Sequence, residues 1–298
     1  MKIAIYHGFQ NFHFEMIGYV LDYLITFNYD FSLYSHCNIF SFHWMKFYNE
    51  LFNKYKIIWN NPNNFDSNNY DYVFLLTDDD FSFITNNKIK IICIEHVDYI
   101  RRLHVYLRIG TRFFHNRPEC LWALPSFQVL TINEKLNILQ NENKINVAVL
   151  GKNQPNSFNL LKNLFINFSD INFYLIGKEI DNVKEIFKYN DNVKIYNNCL
   201  TIIMLNILKK CHYVLCLDIF KSEHYTKQAI SASIPLSFSF GCQLIIPQHW
   251  QIYYNFKSII SYETNELLLS KNINLDLIYE EQNDLISHRN NMFNKCLI

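Results

Sequence analysis

The sequence predicts an α/β protein of two halves, each with a parallel β-sheet that helices cover on both faces. Short apolar runs follow one another along the chain, and stretches whose apolar residues recur at helical spacing separate them. The strongest runs, such as Tyr72–Leu76 and Ile145–Leu150, are continuous instead of alternating, which is typical of parallel strands buried on both faces. At 298 residues the chain is long enough for two domains, each with its own core.

Composition and charge exclude several classes of protein. Half of the residues are hydrophobic and 17% are aromatic, which is more than a disordered or fibrous chain carries. Lys+Arg and Asp+Glu each total 27 without a long run of one sign, so we expect no binding to nucleic acid or to an anionic membrane. No apolar stretch approaches the roughly 18 residues of a transmembrane helix, and no secretion signal is predicted, so we expect a cytoplasmic protein. The sequence favours no particular oligomeric state.

The eight cysteines lack the spacing of a metal site or of a disulfide framework. Several lie inside apolar runs such as Ile91–Ile94, so most are predicted to be reduced core residues. Asn, Ile, Lys, Tyr and Phe are abundant, whereas Gly and Pro number only six each. This bias is typical of AT-rich genomes, including those of large DNA viruses, and for a viral protein the expected compartment is the cytoplasm of the host cell.

The first half alternates between predicted strands and helices. Its predicted elements are a strand at Lys2–Tyr6, a helix at Phe14–Leu24, a strand at Phe31–Tyr34, a helix at Phe42–Phe52, and strands at Lys56–Trp59, Tyr72–Leu76 and Ile89–Ile94. After Arg101 the pattern loosens, and regular alternation returns only at Ile145. Thr131–Asn143 is therefore predicted to be a linker or a linker helix, and the domains are predicted to span residues 1–140 and 141–298.

The second half has the more regular alternation. Its predicted elements are strands at Ile145–Leu150, Ile171–Ile176, Val193–Tyr196, Tyr213–Leu217 and Gln243–Ile246, with helices at Phe158–Phe168, Val183–Tyr189, Thr201–Lys210 and Tyr225–Phe240. This order predicts βαβ crossovers and a doubly wound parallel sheet. A polar helix from about Asp276 to the end is expected to pack back on the first domain.

The second half resembles the donor-binding domain of glycosyltransferases of the GT-B fold over about Ile145–Pro247. Val147–Lys152 resembles the strand whose end carries a Gly and a basic residue towards the diphosphate of a sugar nucleotide, and Phe173–Lys178 resembles the next strand. Ile234–Pro247 resembles the helix, glycine turn and strand that close the nucleotide site. In that fold two Rossmann-like domains face each other across a cleft, with the acceptor on the first domain and the sugar nucleotide on the second.

The resemblance implies an enzyme that moves a sugar from a nucleotide-diphosphate sugar to a glycan, lipid-linked or small-molecule acceptor. The nucleotide sugar is then a donor substrate, and no cofactor or metal is required. A glycine at a strand end lets the backbone approach a phosphate, and a lysine adds positive charge. The residues expected to bind the donor are Gly151, Lys152, Gly177, Lys178, Ser222, Glu223, Thr226, Lys227 and Gln228. Turn glycines, solvated lysines and a plain helix cap at Ser222–Glu223 are the alternatives.

One signature of the family is absent. Many retaining members carry two glutamates on the last helix of the donor site, and alignment on Gly241 places Gln228 and Leu236 at those positions. Other members hold phosphate with a helix start rich in Ser and Thr, which resembles Thr226, Ser231 and Ser233. The missing glutamates motivate an alternative from another class, a catalytically silent protein that binds sugar nucleotides or glycans or serves as a scaffold. An epimerase of related two-domain shape is a further alternative.

The end of the first strand supplies candidates for catalysis. His7, His13 and Glu15 follow this strand, where ligands of open α/β sheets collect. His13 is a candidate base for an inverting transfer near neutral pH, with Glu15 beside it. The alternatives are an exposed loop histidine and an acidic residue that favours the helix dipole.

A second polar cluster follows the strand that ends at Ile94. Asp98 is a candidate catalytic residue, and His96 and Arg101 are candidates for contacts with acceptor hydroxyls or the donor diphosphate. A surface cluster of salt bridges is the alternative. The basic character continues through Arg108, Arg112 and Arg117.

Asp78, Asp79 and Asp80 follow the strand Tyr72–Leu76 and support a rival hypothesis. In glycosyltransferases of the GT-A fold an Asp-x-Asp motif at a strand end binds a divalent metal that bridges the diphosphate. Asp78 and Asp80 fit that pattern, because carboxylate oxygens suit Mg²⁺ or Mn²⁺. A metal is required only under this hypothesis, and an acidic turn without metal is the alternative.

Overall fold

The computed structural model describes residues 1–8, 13–36, 39–76, 84–86, 88–95, 107–111, 121–151, 161, 163–177, 183–217, 231–263 and 267–297. By its internal contacts the chain divides into two compact units. The first contains Met1–Phe127 and Leu285–Ile298, and the second contains most of the residues from Gln128 to Asp284.

Helices and strands alternate along the described residues. The helices are α1 Glu15–Thr26, α2 Ile39–Leu51, α3 Ile132–Gln140, α4 Val183–Ile186, α5 Thr201–Lys210, α6 Ser233–Ser239 and α7 Leu275–Cys296, with 3₁₀ turns at Pro62–Asn64, Ser67–Asn69, Phe168–Asp170 and Gln248–Trp250. The strands of the first unit are β1 Lys2–His7, β2 Asp30–Ser35, β3 Trp59–Asn60, β4 Tyr72–Leu76, β5 Lys90–Glu95, β6 Leu107–Gly110 and β7 Leu121–Trp122. Those of the second unit are β8 Ile145–Leu150, β9 Ile171–Gly177, β10 Val193–Asn197, β11 Tyr213–Leu215, β12 Gln243–Pro247 and β13 Ile260–Tyr262.

Each unit contains one parallel sheet. The strand order is β3-β2-β1-β4-β5-β6-β7 in the first unit and β10-β9-β8-β11-β12-β13 in the second. All strand pairs are parallel, and each order reverses at the unit's first strand, so that β1 lies between β2 and β4, and β8 lies between β9 and β11. This is the doubly wound arrangement, and it confirms the predicted α/β fold of two Rossmann-like domains.

The continuous apolar runs form the cores of the two sheets. Ile3, Ala4 and Ile5 of β1 are inaccessible to solvent, and every residue of β4 is buried. In the second unit Val147 and Val149 of β8 belong to a buried cluster that includes residues of the neighbouring strands. Burial of each Val, Ile, Leu or Phe side chain contributes roughly 1.5–3 kcal/mol, so these strands are central to the stability of their units.

The short elements differ from the predictions. The strand predicted at Lys56–Trp59 is only the two-residue strand Trp59–Asn60, and β6, β7 and β13 were not predicted, because two to four residues carry no recognisable periodicity. The helix predicted at Phe158–Phe168 ends before Phe165, which forms a β-bridge with Leu267.

The predicted linker segment is the helix α3. Thr131 caps its start, since the Thr131 side chain accepts a hydrogen bond from the Glu134 N–H and the Glu134 carboxylate accepts one from the Thr131 N–H. The fully buried Lys135 donates from Nζ to the carbonyl oxygens of Leu208 and Cys211, at 3.4 and 2.7 Å, and so satisfies the C-terminal end of α5. The helix therefore packs within the second unit.

The last helix, α7, begins in the second unit and ends in the first. Arg289 in its second half is inaccessible to solvent and forms a 2.8 Å ion pair with Asp22 of α1. Burial lowers the pKa of Arg289, and the charge of Asp22 opposes that change. The Phe293 ring packs against those of Tyr19 and Tyr23, at 5.5 and 5.0 Å between centroids. The end of the chain therefore packs on the first unit, as expected.

Two general expectations are tested by the described residues. The six cysteines in this part of the chain are free, and five of them are buried, as expected for reduced core residues. None of the helices described in the structure combines the length and the apolar character that a bilayer span requires.

Replacement of Asp22 by Ala is expected to lower the free energy of unfolding by about 3 kcal/mol, because it leaves the Arg289 guanidinium buried without its carboxylate. Urea unfolding monitored by circular dichroism measures this change. The matched control is Glu50→Ala, which removes an exposed 3.9 Å pair with Lys46 and is expected to change stability by no more than about 0.5 kcal/mol. Equal effects of the two substitutions would contradict this account of Arg289.

We expect the protein to lose stability in mild acid because His212 is buried. Its side chain is 1% exposed, and its Nδ1 accepts a hydrogen bond from the Asn146 N–H at 3.1 Å. Burial, reinforced by the charges of Lys135 and Lys271, lowers the pKa of His212 to about 4. The unfolded chain binds the proton near pH 6.5, so the contribution of neutral His212 is complete above about pH 6.5 and is lost as the pH falls towards about 4.

We expect the free energy of unfolding to decrease by about 2 kcal/mol between about pH 7.5 and 4.5 through this residue alone. Urea titrations at both pH values measure the decrease, and His212→Gln, which does not titrate, should reduce it by that amount. An unchanged pH dependence in this variant would show that other groups are responsible.

Candidate functional site

The topology of each sheet indicates where a ligand site is expected. Ligands of doubly wound sheets bind at the carboxyl ends of the strands, where the strand order reverses. In this protein the reversal lies between β1 and β4 in the first unit and between β8 and β11 in the second. The residues that follow these strands are therefore the first candidates.

His7, at the end of β1, is part of the packed edge of the first sheet. Its side chain is inaccessible to solvent, and its Nδ1 lies 3.2 Å from the equally buried Ser35 Oγ at the end of β2. The ring also packs against Phe14, with 4.7 Å between centroids. This environment assigns His7 to the core, in contrast to the more accessible His13.

His13 and Glu15 are brought together at the start of α1. The His13 Nδ1 lies 3.4 Å from the Glu15 Oε1, and the two side chains are 24% and 12% exposed. Glu15 is the first residue of the helix, where the helix dipole favours a negative charge. The structure thus joins two residues that the sequence proposed for catalysis into one hydrogen-bonded pair with partial access to solvent.

The backbone of His13 adopts an unusual conformation. Its φ of 61° lies in the left-handed region, which costs a residue with a side chain about 1 kcal/mol or more. The turn is held by a 3.0 Å hydrogen bond from the Met16 N–H to the His13 carbonyl and a 3.1 Å bond from the Ile17 N–H to the Phe14 carbonyl. Strained residues of this kind occur disproportionately at functional sites.

Glu95 and Arg108 form an ion pair at the carboxyl ends of β5 and β6. The Glu95 side chain is 6% exposed, and that of Arg108 is 18% exposed. The positive charge of Arg108, one of the basic residues noted in the sequence, is therefore paired with the Glu95 carboxylate of the neighbouring strand. In the sequence Glu95 directly precedes the segment that contains His96 and Asp98, and Arg108 follows that segment.

In the second unit, Gly151 and Gly177 lie side by side at the ends of β8 and β9. The Gly151 N–H donates to the Ile176 carbonyl at 2.9 Å, and a Cβ on Gly177 would overlap the Gly151 carbonyl oxygen. Gly151 has a φ of +109°, and the position of its missing Cβ has no heavy atom within 4 Å. Gly177 is therefore required by the close approach of two backbones, and Gly151 has open space where a side chain would stand.

The end of β11 is also anchored. The Tyr262 hydroxyl donates to the Cys216 carbonyl at 2.8 Å, just before the segment of residues 218–230. Further on, the Ser231 Oγ accepts a 3.4 Å hydrogen bond from the Ser233 N–H at the start of α6. Leu236, at the position of the missing second glutamate, is 4% exposed and belongs to the core.

The other candidate residues lie outside the described residues. They are Asp78, Asp80, His96, Asp98, Arg101, Lys152, Lys178, Ser222, Glu223, Thr226, Lys227 and Gln228. Within the part of the chain that the structure describes, no group of three or more His, Cys, Asp or Glu residues is arranged to hold a metal ion.

The sequence analysis did not single out Tyr48. This residue of α2 is inaccessible to solvent, and its hydroxyl donates to the Phe14 carbonyl at 2.9 Å, directly beside His13 and Glu15. In the sequence it is one of several aromatic residues of α2, and no local signal distinguishes it from the others.

Comparisons with known proteins bear on the fold. No protein-family model matches the chain, and a search of curated proteins also finds no match. Among solved structures, a complex of MnaA from S. aureus with UDP has a TM-score of 0.52 at 11% identity, over 96% of this chain and 87% of that chain.

Two further solved structures are similar in fold. A protein from Listeria monocytogenes, provisionally named UDP-N-acetylglucosamine 2-epimerase, has a TM-score of 0.53 at 9% identity, over 97% of this chain and 90% of that chain. AviGT4, a glycosyltransferase involved in avilamycin A biosynthesis, has a TM-score of 0.51 at 10% identity, over 97% of this chain and 91% of that chain. At these identities the likeness establishes the fold. It supports the predicted resemblance to glycosyltransferases of the GT-B fold, with two Rossmann-like domains.

Proposed function

We propose that the protein binds a nucleotide-diphosphate sugar and transfers its sugar to a glycan, lipid-linked or small-molecule acceptor without a metal cofactor. The observation that carries this proposal is the likeness of fold, over 96–97% of the chain, to MnaA in complex with UDP and to the glycosyltransferase AviGT4. Doubly wound sheets bind nucleotides at the edges where this chain carries its polar and glycine residues.

The donor side of the reaction is proposed for the second unit. The backbone around Gly151 and Gly177 would approach the diphosphate, with positive charge from Lys152 and Lys178, which follow these glycines in the sequence. The remaining donor contacts are proposed for the segment after β11, at Ser222, Glu223, Thr226, Lys227 and Gln228.

The acceptor side is proposed for the first unit, with His13 as the base. If Nδ1–H of His13 donates to the Glu15 carboxylate, the Nε2 is the basic nitrogen that takes the proton of the acceptor hydroxyl. The acceptor oxygen then bonds to the anomeric carbon as the bond from that carbon to the diphosphate breaks. Glu15 stabilises the imidazolium that forms, and Asp98, His96 and Arg101 are proposed for contacts with the acceptor or the diphosphate.

Epimerisation of the sugar of a UDP-sugar is a second candidate function. The likeness to the Listeria protein, which is provisionally named for this reaction, favours it. Both candidates bind the same class of donor, but only the transferase consumes an acceptor. Analysis of products by NMR separates transfer, epimerisation and simple hydrolysis, and binding without any product would identify a catalytically silent protein.

The first test is nucleotide binding. UDP, GDP, dTDP, CMP and their sugars are screened by thermal shift in EDTA and in Mn²⁺, and a nucleotide at about 100 times its Kd should add about 2.7 kcal/mol of stability. We expect one nucleotide class to stabilise the protein in EDTA. Stabilisation that requires Mn²⁺ and is lost in Asp80→Ala would instead support the metal-dependent alternative at Asp78 and Asp80.

The donor site itself is tested with Gly177→Ala, which should weaken nucleotide binding at least about tenfold, because the new methyl group displaces the Gly151 carbonyl. Isothermal titration calorimetry measures the affinity. The control is Ile166→Ala, at an exposed residue before the amino end of β9, which should leave nucleotide binding unchanged. Equal affinities of the two variants would remove Gly177 from the donor site.

The role of His13 is tested with two substitutions that tolerate its left-handed backbone, His13→Asn and His13→Gly. Both should reduce kcat by about 10²–10⁴-fold, because neither side chain can accept the proton. His13→Gly should also increase the free energy of unfolding by up to about 1 kcal/mol, because glycine relieves the backbone strain. Steady-state kinetics and urea unfolding measure the two effects, with His43→Asn on α2 as the control. Retention of kcat by His13→Asn would show that His13 is not the base, and Asp98 would be the next candidate to substitute.

A further inference from the structure

Tyr48 connects α2 to the turn that carries the proposed catalytic pair. Its hydroxyl donates to the Phe14 carbonyl at 2.9 Å, and Phe14 separates His13 from Glu15 in the sequence. The same carbonyl accepts the 3.1 Å hydrogen bond from the Ile17 N–H in the first turn of α1. The Tyr48 hydroxyl is therefore hydrogen-bonded to the backbone between His13 and Glu15.

Gly18 lets Tyr48 reach this position. A Cβ on Gly18 would lie 2.7 Å from the Tyr48 ring and 2.5 Å from the Phe127 ring, so any larger residue would displace both rings from α1. The Tyr48 ring also stacks on Trp44, with 5.5 Å between centroids. Close packing on several sides restricts the ring and directs its hydroxyl to one backbone group.

The surroundings keep the hydroxyl protonated. Burial, together with the nearby negative charge of Glu15, raises the pKa of Tyr48 well above its ordinary value, and a hydrogen bond from the Gly18 N–H opposes this rise. Tyr48 is therefore a neutral donor beside the carboxylate of the pair. Its side chain is inaccessible to solvent, so it does not contact substrate itself.

We propose that Tyr48 is a positioning residue, which holds the Phe14 carbonyl and thereby fixes the left-handed turn at His13 and the geometry of the His13–Glu15 pair. A strained backbone conformation persists only where its surroundings over-determine it, and the Tyr48 hydroxyl supplies a constraint beyond the two backbone hydrogen bonds of the turn. The kinetic consequence rests on the proposed function, whereas the structural consequence does not.

The test is Tyr48→Phe, which removes one hydroxyl and retains the aromatic packing. The matched control is Tyr23→Phe on α1, since Tyr23 is equally buried and its hydroxyl donates to the Asn294 Oδ1 at 2.7 Å, away from the turn. Hydrogen exchange of the Met16 and Ile17 amides should accelerate about tenfold in Tyr48→Phe relative to the amides of β1, and should not accelerate in Tyr23→Phe.

In enzyme that transfers sugar, Tyr48→Phe should lower kcat about fivefold, equivalent to about 1 kcal/mol, with KM for the donor unchanged. Tyr23→Phe should leave both constants unchanged. Uniform acceleration of exchange through the first unit, or no acceleration at the first turn of α1, would overturn the positioning role. If wild-type protein binds no nucleotide and transfers no sugar, the proposed function fails, and the exchange experiment still decides whether Tyr48 fixes the turn.

Discussion

The central strands of the two parallel sheets bury side chains on both faces while their backbones hydrogen-bond to neighbouring strands. This constraint explains why β4 and most of β1 are continuous apolar runs and why helices connect the strands. It also places all carboxyl ends of a sheet at the same edge. Apolar residues fill most of the central strands, and several polar candidate residues follow the strand ends, where ligands of such sheets bind.

At these edges the same residues serve packing and the proposed chemistry. A side chain at Gly177 would overlap the Gly151 carbonyl, which stands in the space of a Cβ at the edge proposed for the donor. The backbone of His13 is left-handed, a conformation that costs conformational energy for residues with a side chain and most for β-branched ones. His7, only six positions earlier, is fully buried beside Ser35, so the two histidines have different environments.

Buried cationic side chains hold the helices α3 and α7 against the rest of the units in which they pack. Lys135 of α3 satisfies carbonyl oxygens at the end of α5, and Arg289 of α7 pairs with Asp22 of α1. In both cases a charge that is costly to bury is stabilised by groups distant in sequence. These contacts explain why α3 packs in the second unit and why the end of α7 belongs to the first, although each helix has a polar composition.

The sequence by itself determined the α/β class, the positions of the longer strands and the glycines at the ends of β8 and β9. These features are local, because apolar runs and turn residues report directly on burial and backbone conformation. Only the tertiary structure decided that His7 is buried beside Ser35, that the Tyr48 hydroxyl donates to the Phe14 carbonyl and that the short strands β6, β7 and β13 complete their sheets. These features depend on contacts between residues far apart in the chain, and such contacts leave no periodic or local pattern in the sequence.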